Sequence, residues 1–361
     1  MAHAAIGLYV HVPFCRGKCP YCDFYSLRGT DAQKDAYTER VCQILSTRDN
    51  PLSTVYLGGG TPSQLGTARL LRILEAVQGR LVHDAEITLE INPSDVPDLD
   101  CAALRRAGYN RVSLGLQSAV DTERRALGRR GNTADVARAV QTLQSAGFAN
   151  ISLDVMLAVP GQSADSLRTT LQFATHAGVQ HVSAYLLKIE PGTPFAHRPL
   201  DLPDEDAAAE LYIQACETLE KAGFAQYEIS NFARPGFESQ HNLKYWRSEE
   251  YWGVGPGAHS FLAGQRFFAP RDLAGFLAGD GTVPDGRGGD FAEYTMLALR
   301  LREGLRADAV QARFGHAIPA ELRAKAAPLE RHGLLICDEN GMLLTRKGFL
   351  LSNAVIGALL A

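Results

Sequence analysis

The sequence predicts an α/β protein built on a parallel sheet. Up to Gly223, six strand-like segments alternate with helix-like segments, four of the helices end in Ala-Gly, and glycine or polar residues follow the strands. Such alternation is typical of a parallel sheet covered by helices, and glycine after the last turn is a common helix end. The pattern leaves open a doubly wound sheet and a curved partial barrel, and in both, ligands bind at the carboxyl ends of the strands.

The predicted elements follow one another in chain order. Apolar or alternating runs that stop at glycine, proline or polar residues predict strands at 5–12, 53–57, 86–91, 111–116, 150–157 and 181–187. Helices, most of them after a residue that can cap them, are predicted at 31–48, from about 67, and at 99–107, 133–146, 163–178 and 204–223.

The last part of the chain has a different pattern. A helical run from 291 to about 302, further helical segments and a hairpin with an Asn340-Gly341 turn predict a small winged-helix-like α+β domain. The predicted domains are therefore 1–230, a connecting segment at 231–285, and 286–361. Because no basic stripe marks the last domain, a lid or docking surface is favoured over DNA binding.

The most specific motif is a C-x3-C-x2-C loop, Cys15, Cys19 and Cys22, directly after the first strand. Four-iron clusters usually take four cysteines, so three thiolates would leave one iron with an open coordination position. A structural zinc site is the main alternative. It would need a fourth ligand, for which His11 is the nearby candidate, and zinc loops more often contain two C-x-x-C pairs. A disulfide within the loop is a further alternative, but it would leave one of the three cysteines unpaired.

A second candidate element is Gly58-Gly59-Gly60-Thr61-Pro62, which follows the second strand. Glycine lets backbone approach a ligand closely, but a phosphate-binding loop is not indicated because no Gly-Lys-Ser/Thr follows. By itself this stretch is equally a tight strand-to-helix turn. Each polar residue near the end of a later strand, taken alone, is better explained by a structural ion pair than by a ligand contact.

Together, these features resemble the radical S-adenosylmethionine (SAM) superfamily. The resemblance implies a partial (β/α)6 TIM-like barrel, a [4Fe-4S] cluster on Cys15, Cys19 and Cys22, and SAM, whose amino and carboxylate groups fill the open iron position. An electron from such a cluster splits SAM to a 5′-deoxyadenosyl radical in that family. By position, the resemblance implies SAM contacts for Tyr9, Gly59, Gly60, Thr61, Glu90, Gln117, Arg129 and Asp154.

Residues 8–15, 19–24, 58–63, 115–118 and 241–246 narrow the resemblance to the oxygen-independent coproporphyrinogen III oxidase branch. In its oxidases a fourth cysteine lies where this chain has Phe24, and an extension precedes the first strand, which here begins almost at Met1. The resemblance therefore favours the haem chaperones of this branch, which pass haem to apo-haemoproteins such as respiratory enzymes. An oxidase or another radical SAM porphyrin enzyme is the alternative, so enzymatic activity stays open.

The stretch from His241 to Trp246 is a candidate haem site. Histidine is a common axial haem ligand, and flat aromatic rings suit a porphyrin face. Chemistry alone favours a packed loop, whereas the resemblance implies haem contacts for His241, Asn242, Tyr245 and Trp246. His259, beside a Gly-Pro-Gly turn, is a rival ligand.

Composition predicts a cytoplasmic protein. The net charge of −4 is spread over both signs, so no nucleic-acid surface is indicated. Four further cysteines are scattered, which suits a reducing compartment. Residues 1–5 lack a signal-peptide pattern, and no apolar run approaches the ~20 residues that span a bilayer. Peripheral membrane contact is left open.

Overall fold

The computed structural model describes residues 4–361, so the expectation for the first three residues lies outside it. It confirms the α/β class, because the first six strands are parallel neighbours in chain order. They are β1 (Ile6–Val12), β2 (Leu52–Gly59), β3 (Leu81–Ile91), β4 (Arg111–Gln117), β5 (Asn150–Leu157) and β6 (His181–Leu186).

Helices connect these strands and bury their apolar faces against the sheet. They are α1 (Asp31–Leu45), α2 (Thr67–Glu75), α3 (Cys101–Ala107), α4 (Asp121–Ala126), α5 (Thr133–Ser145), α6 (Ala164–His176) and α7 (Glu205–Lys221). Thr30 caps α1: its side chain accepts a hydrogen bond from the backbone N–H of Gln33, and the two residues form a capping box. Helix α4 was not predicted.

The six parallel strands form a partial barrel that stays open, because further strands continue the sheet at both edges. On one side β6 pairs with β8 (Asn231–Ala233), which pairs with β7 (Ala225–Gln226). On the other side β1 pairs in parallel with β9 (Tyr251–Val254). The sheet then continues antiparallel through β10 (His259–Leu262), β11 (Gln265–Phe268) and β12 (Val283–Arg287). The segment predicted as a connector therefore contributes five strands to the main sheet.

The last part of the chain is helical with a small antiparallel sheet in the order β13 (Leu305–Arg306), β15 (Gly341–Leu344), β14 (Leu335–Asp338). Its helices are α10 (Phe291–Ala298), α11 (Ala307–Phe314), α12 (Ala320–Arg331), α13 (Arg346–Leu350) and α14 (Ser352–Leu360), while α8 (Gln240–Trp246) and α9 (Leu273–Ala278) precede them. The predicted hairpin is present as β14 and β15. Within residues 4–361, no helix is both long and apolar enough to cross a bilayer.

Helix α8 packs against the amino ends of the strands and closes the floor of the barrel. The Glu86 carboxylate accepts hydrogen bonds from the backbone N–H groups of Gln240 (2.9 Å) and His241 (3.0 Å), which are otherwise unpaired at a helix start. The His241 ring contacts the Thr54 hydroxyl at 2.7 Å through Nδ1. The barrel floor is thus held by long-range polar contacts between α8 and strands β2 and β3.

We expect Glu86→Ala to lower the free energy of unfolding by about 2–3 kcal/mol, because it leaves buried backbone donors without a charged acceptor. Urea denaturation followed by circular dichroism measures this loss. Glu75→Ala, which removes an exposed carboxylate from the end of α2, is the matched control and should change stability by less than about 0.5 kcal/mol. Equal stability of both variants would contradict the role of Glu86.

Candidate cofactor site

A cavity of about 460 Å³ opens at the carboxyl ends of the parallel strands. Its size lies within the range of small-molecule sites. The sequence-predicted site residues that line it are Cys15, Cys19, Cys22, Gly59, Gly60, Thr61, Glu90, Gln117, Arg129, Asp154 and Asn242. The structure therefore brings most of the predicted cluster and SAM residues to one place.

The three loop cysteines have free thiols and are partly buried at the cavity mouth. The loop is turned by a hydrogen bond from the Cys22 N–H to the Cys19 carbonyl (3.1 Å), and the Cys15 sulfur lies 3.2 Å from the Thr61 hydroxyl. Burial raises the pKa of the Cys22 thiol, with smaller opposing and reinforcing effects from its neighbours. Three soft sulfur donors facing one cavity fit an iron–sulfur cluster with one open corner.

Across residues 4–361, no three His, Cys, Asp or Glu side chains are grouped to hold one ion.

The glycine turn after β2 brings bare backbone to the cavity wall. Gly59 has φ of 104°, a conformation that favours glycine. A Cβ built on Gly60 would lie 2.7 Å from the Val12 carbonyl oxygen, and one on Gly59 would lie 2.5 Å from the His11 ring. Only glycine therefore fits between β1 and the cavity, so that backbone polar groups rather than side chains face a ligand here.

The Glu90 carboxylate lies at the cavity wall and accepts hydrogen bonds from two protein groups. The Tyr56 hydroxyl donates to Oε1 at 2.7 Å, and the Gly59 N–H donates to Oε2 at 3.2 Å. Burial raises the pKa of Glu90 to about 7, and the negative charge of Asp154 adds to the shift, although both hydrogen bonds oppose it. A cation or a set of hydroxyl donors bound in the cavity would stabilise the ionised form.

Asp154 lines the cavity from β5, where it is paired in register with Gly115 and Ser183 of the neighbouring strands. The Ser113 hydroxyl donates to its Oδ1 at 3.0 Å. Burial raises the pKa of Asp154, while hydrogen bonds from Ser113 and Ser183 and the charge of Arg111 lower it. Glu90 of β3 and Asp154 of β5, the two strands that flank β4, thus face the same cavity.

Arg129 and Gln117 form the wall beside the cysteine loop. The Arg129 guanidinium donates to the Gly115 carbonyl at 3.1 Å and lies 3.9 Å from the Cys19 sulfur. Burial acts to lower the pKa of Arg129, but the neighbouring Tyr21 and Cys19 outweigh it and raise the pKa. Gln117 has φ of 65°, an uncommon conformation for a residue other than glycine. The strained end of β4 therefore places an amide at the cavity.

Tyr9 is the one predicted SAM residue that does not line the cavity among those that the structure describes. Its hydroxyl lies 3.0 Å from Nδ1 of His11, and its ring packs near Tyr56 and His241. Its position is inside the barrel, behind the cavity wall. In this conformation it supports Tyr56, which in turn bonds to Glu90.

The two candidate haem histidines lie in different environments. His241 is 1% exposed, and both ring nitrogens are engaged, Nδ1 with Thr54 and Nε2 with the Tyr245 hydroxyl at 2.7 Å. Burial, with the positive charges of Lys244 and Arg111, lowers the pKa of His241 to about 3. The stretch predicted as a packed loop is the helix α8. Of the remaining motif residues, Asn242 reaches the cavity, whereas the Trp246 ring lies under the Arg300 guanidinium.

His259 is exposed at the start of β10, and its ring stacks on Phe268 with centroids 5.2 Å apart. The turn before it lies against the cysteine loop, because a Cβ built on Gly257 would be 3.6 Å from the Cβ of Tyr25. The ring of His259 is therefore the accessible one of the two.

Several cavity residues were not predicted from the sequence. Tyr56, Arg111, Ser113, Ser183 and Tyr185 line the cavity. Arg111 is 2% exposed, and its Nε has no hydrogen-bond partner among residues 4–361. Polar residues at every second position of β4, between buried apolar ones, were the available signal, since alternate residues of a strand share one face.

Comparisons with known proteins agree with this architecture. The sequence model of the radical SAM superfamily matches residues 9–174, and that of the HemN C-terminal domain matches residues 292–351. The chain is 39% identical to heme chaperone HemW of Mycobacterium tuberculosis over 98% of this chain and 94% of that protein. It is 32% identical to heme chaperone HemW of Bacillus subtilis, with 98% of both proteins covered.

A solved structure shares the fold over nearly the whole chain. Coproporphyrinogen III oxidase (HemN) of Escherichia coli, described as a radical SAM enzyme, superposes with a TM-score of 0.84 over 99% of this chain and 91% of that chain. At 21% sequence identity this similarity shows the fold alone. It confirms the predicted partial barrel with a small C-terminal domain.

The raised pKa of Glu90 predicts a pH-dependent stability. Because the folded protein holds this proton up to about pH 7 and the unfolded chain releases it near 4.5, the stabilisation is present below pH 4.5 and is lost as pH rises to 7. We expect the stability of wild type relative to Glu90→Gln to fall by about 2–3 kcal/mol between pH 4.5 and 8. Urea denaturation across this range measures it, and a pH-independent difference would contradict the shift.

Proposed function

The chain belongs to the HemW family of the radical SAM superfamily, and from this membership we propose that it is a cytoplasmic haem chaperone. In this proposal it binds haem, a [4Fe-4S] cluster and SAM, and it transfers haem to apo-haemoproteins. Phe24 favours the chaperone over the oxidase, because it stands where the family resemblance implies a fourth cysteine in the oxidases, but the observation that carries the proposal is the full-length similarity to haem chaperones. Relatives named heme chaperone HemW over nearly the full length support it.

Cys15, Cys19 and Cys22 are proposed to hold the cluster, and its fourth corner would accept the amino and carboxylate groups of SAM. When bound, this pair supplies one-electron chemistry, and the protein supplies binding and orientation. The backbone of Gly59 and Gly60 approaches the ligand without side chains. Glu90 and Asp154 accept hydrogen bonds from its hydroxyl or ammonium groups.

Arg129 and Gln117 are proposed to complete the SAM site. The guanidinium, held by the Gly115 carbonyl (3.1 Å), lies close to Cys19 and suits a carboxylate. The cavity gives these groups a partly dry surrounding in which polar contacts are strong.

For haem ligation we propose His259 ahead of His241. A ligand nitrogen must be accessible and free of a competing hydrogen bond, and both nitrogens of His241 are engaged at 2.7 Å. Binding of iron to His241 would require α8 to leave the barrel floor. Tyr245 then contributes through its hydrogen bond to His241 in the barrel floor, and Asn242 contributes by lining the cavity. Neither residue binds the iron.

The proposal is tested by haem transfer. Anaerobically purified and reconstituted protein is loaded with haem and mixed with an apo-cytochrome of the respiratory chain, and haem arrival is followed by absorbance. We expect faster transfer than from haem bound to serum albumin, which releases haem without docking to the acceptor. Absence of haem binding, or transfer no faster than from albumin, would refute the chaperone function.

The alternative function, an oxygen-independent coproporphyrinogen III oxidase, is tested with the same protein. Anaerobic incubation with coproporphyrinogen III, SAM and reductant is expected to leave the substrate unchanged, because Phe24 replaces the additional cysteine. Protoporphyrinogen formation would favour the oxidase instead.

A further inference from the structure

The cavity mouth has an exposed aromatic side. Phe24 is 62% exposed, the highest value among the large apolar side chains in the described part of the chain, and Tyr185 at the end of β6 is 41% exposed. Both line the same cavity as Met156. Phe24 is in the cysteine loop and Tyr185 is on β6, so the two aromatic side chains come from separate elements.

This aromatic side adjoins a small apolar cluster through Met156, the strand neighbour of Tyr185. Leu127, Met156, Val159 and Phe195 form a buried group there, and Tyr21 of the cysteine loop packs against it. The Tyr21 and Phe195 ring centroids are 6.2 Å apart. Exposed apolar surface beside such a cluster commonly marks a ligand or partner site.

The same mouth also carries positive charge. Lys18 and Arg130 are exposed and line the cavity. Neither forms a salt bridge within residues 4–361, whereas Arg16 beside them is paired with Asp95 and Asp98. Since the whole chain has a net charge of −4, this local excess of cations is not an average property of the surface.

We propose that this mouth is the tetrapyrrole site, with one macrocycle face on Phe24 and Tyr185 and the carboxylates directed to Lys18 and Arg130. The inference rests on the proposed haem function and gives it a location. A flat apolar disc with two carboxylates on one edge complements an aromatic surface beside two unpaired cations. The deeper groups, Glu90 and Asp154, remain available to SAM.

This location makes recognition largely independent of the iron ligand, because His259, proposed above as that ligand, lies outside the cavity lining and would add at most about tenfold in affinity. No histidine lines the cavity among the described residues, so face stacking and carboxylate pairing would have to supply most of the affinity. Metal-free protoporphyrin IX should therefore bind with an affinity within about tenfold of that of haem. Its dimethyl ester, which lacks both charges, should bind about tenfold or more weakly, corresponding to ~1.4 kcal/mol.

The site is tested by titrating the reconstituted full-length protein with haem, protoporphyrin IX and the dimethyl ester in one solvent mixture. We expect Phe24→Ala, Tyr185→Ala and Arg130→Glu each to weaken protoporphyrin binding about tenfold. Ile336→Ala, an exposed apolar position in the last domain, and Arg125→Glu, an exposed arginine in α4, are matched controls that should leave it unchanged. The iron content of every variant is measured as a check on the cluster. If Phe24→Ala has lost the cluster, the binding affinity of Tyr185→Ala decides whether the aromatic side of the mouth binds porphyrin.

The outcomes separate this inference from the proposed function. If wild type binds haem but the aromatic variants bind as tightly as it does, or if metal-free porphyrin does not bind, the mouth site is overturned while the chaperone function stands. If wild type binds no haem, the proposed function fails and this site fails with it.

Discussion

Three thiols on one short loop can occupy only three corners of a four-iron cube, and this deficit defines what the rest of the site has to provide. The parallel pairing of β1 to β6 brings the carboxyl ends of the strands to one edge. Because of this register, the cysteine loop, the glycine turn after β2 and the polar ends of later strands surround one cavity. A ligand held there would face the vacant corner and the carboxylates together.

The interior of the barrel is polar, which is costly without ligands or partners. At the floor the cost is offset by hydrogen bonds: His241 is neutral and bonded through both nitrogens, and His181 is held by Ser152 and Tyr227 at 2.7 and 2.9 Å. Higher in the cavity Glu90 and Asp154 share one space, and burial raises the pKa of both. These two histidines are therefore satisfied by the protein alone, while the carboxylates of the upper part face space that a polar or cationic ligand can fill.

The strands and most helices could be predicted because their apolar periodicity and glycine ends are local signals. Helix α8 could not, since seven residues carry no clear period and its start depends on Glu86, which is distant in the chain. Helix α4 begins at Asp121, and the preceding Val120 supplies no side-chain cap. For the site, the cysteine spacing and the family resemblance pointed to eleven of the residues that line the cavity. Arg111 and Tyr56 were missed because only strand register shows which polar residues face inward.

The central claim is that Cys15, Cys19 and Cys22 hold a cluster whose fourth iron is open to SAM. Electron paramagnetic resonance of the reduced, anaerobically prepared protein, recorded with and without SAM, tests it directly. We expect a four-iron signal whose g values shift when SAM is added, and loss of that signal in Cys19→Ser. A colourless zinc protein, or a cluster signal that SAM leaves unchanged, would contradict it.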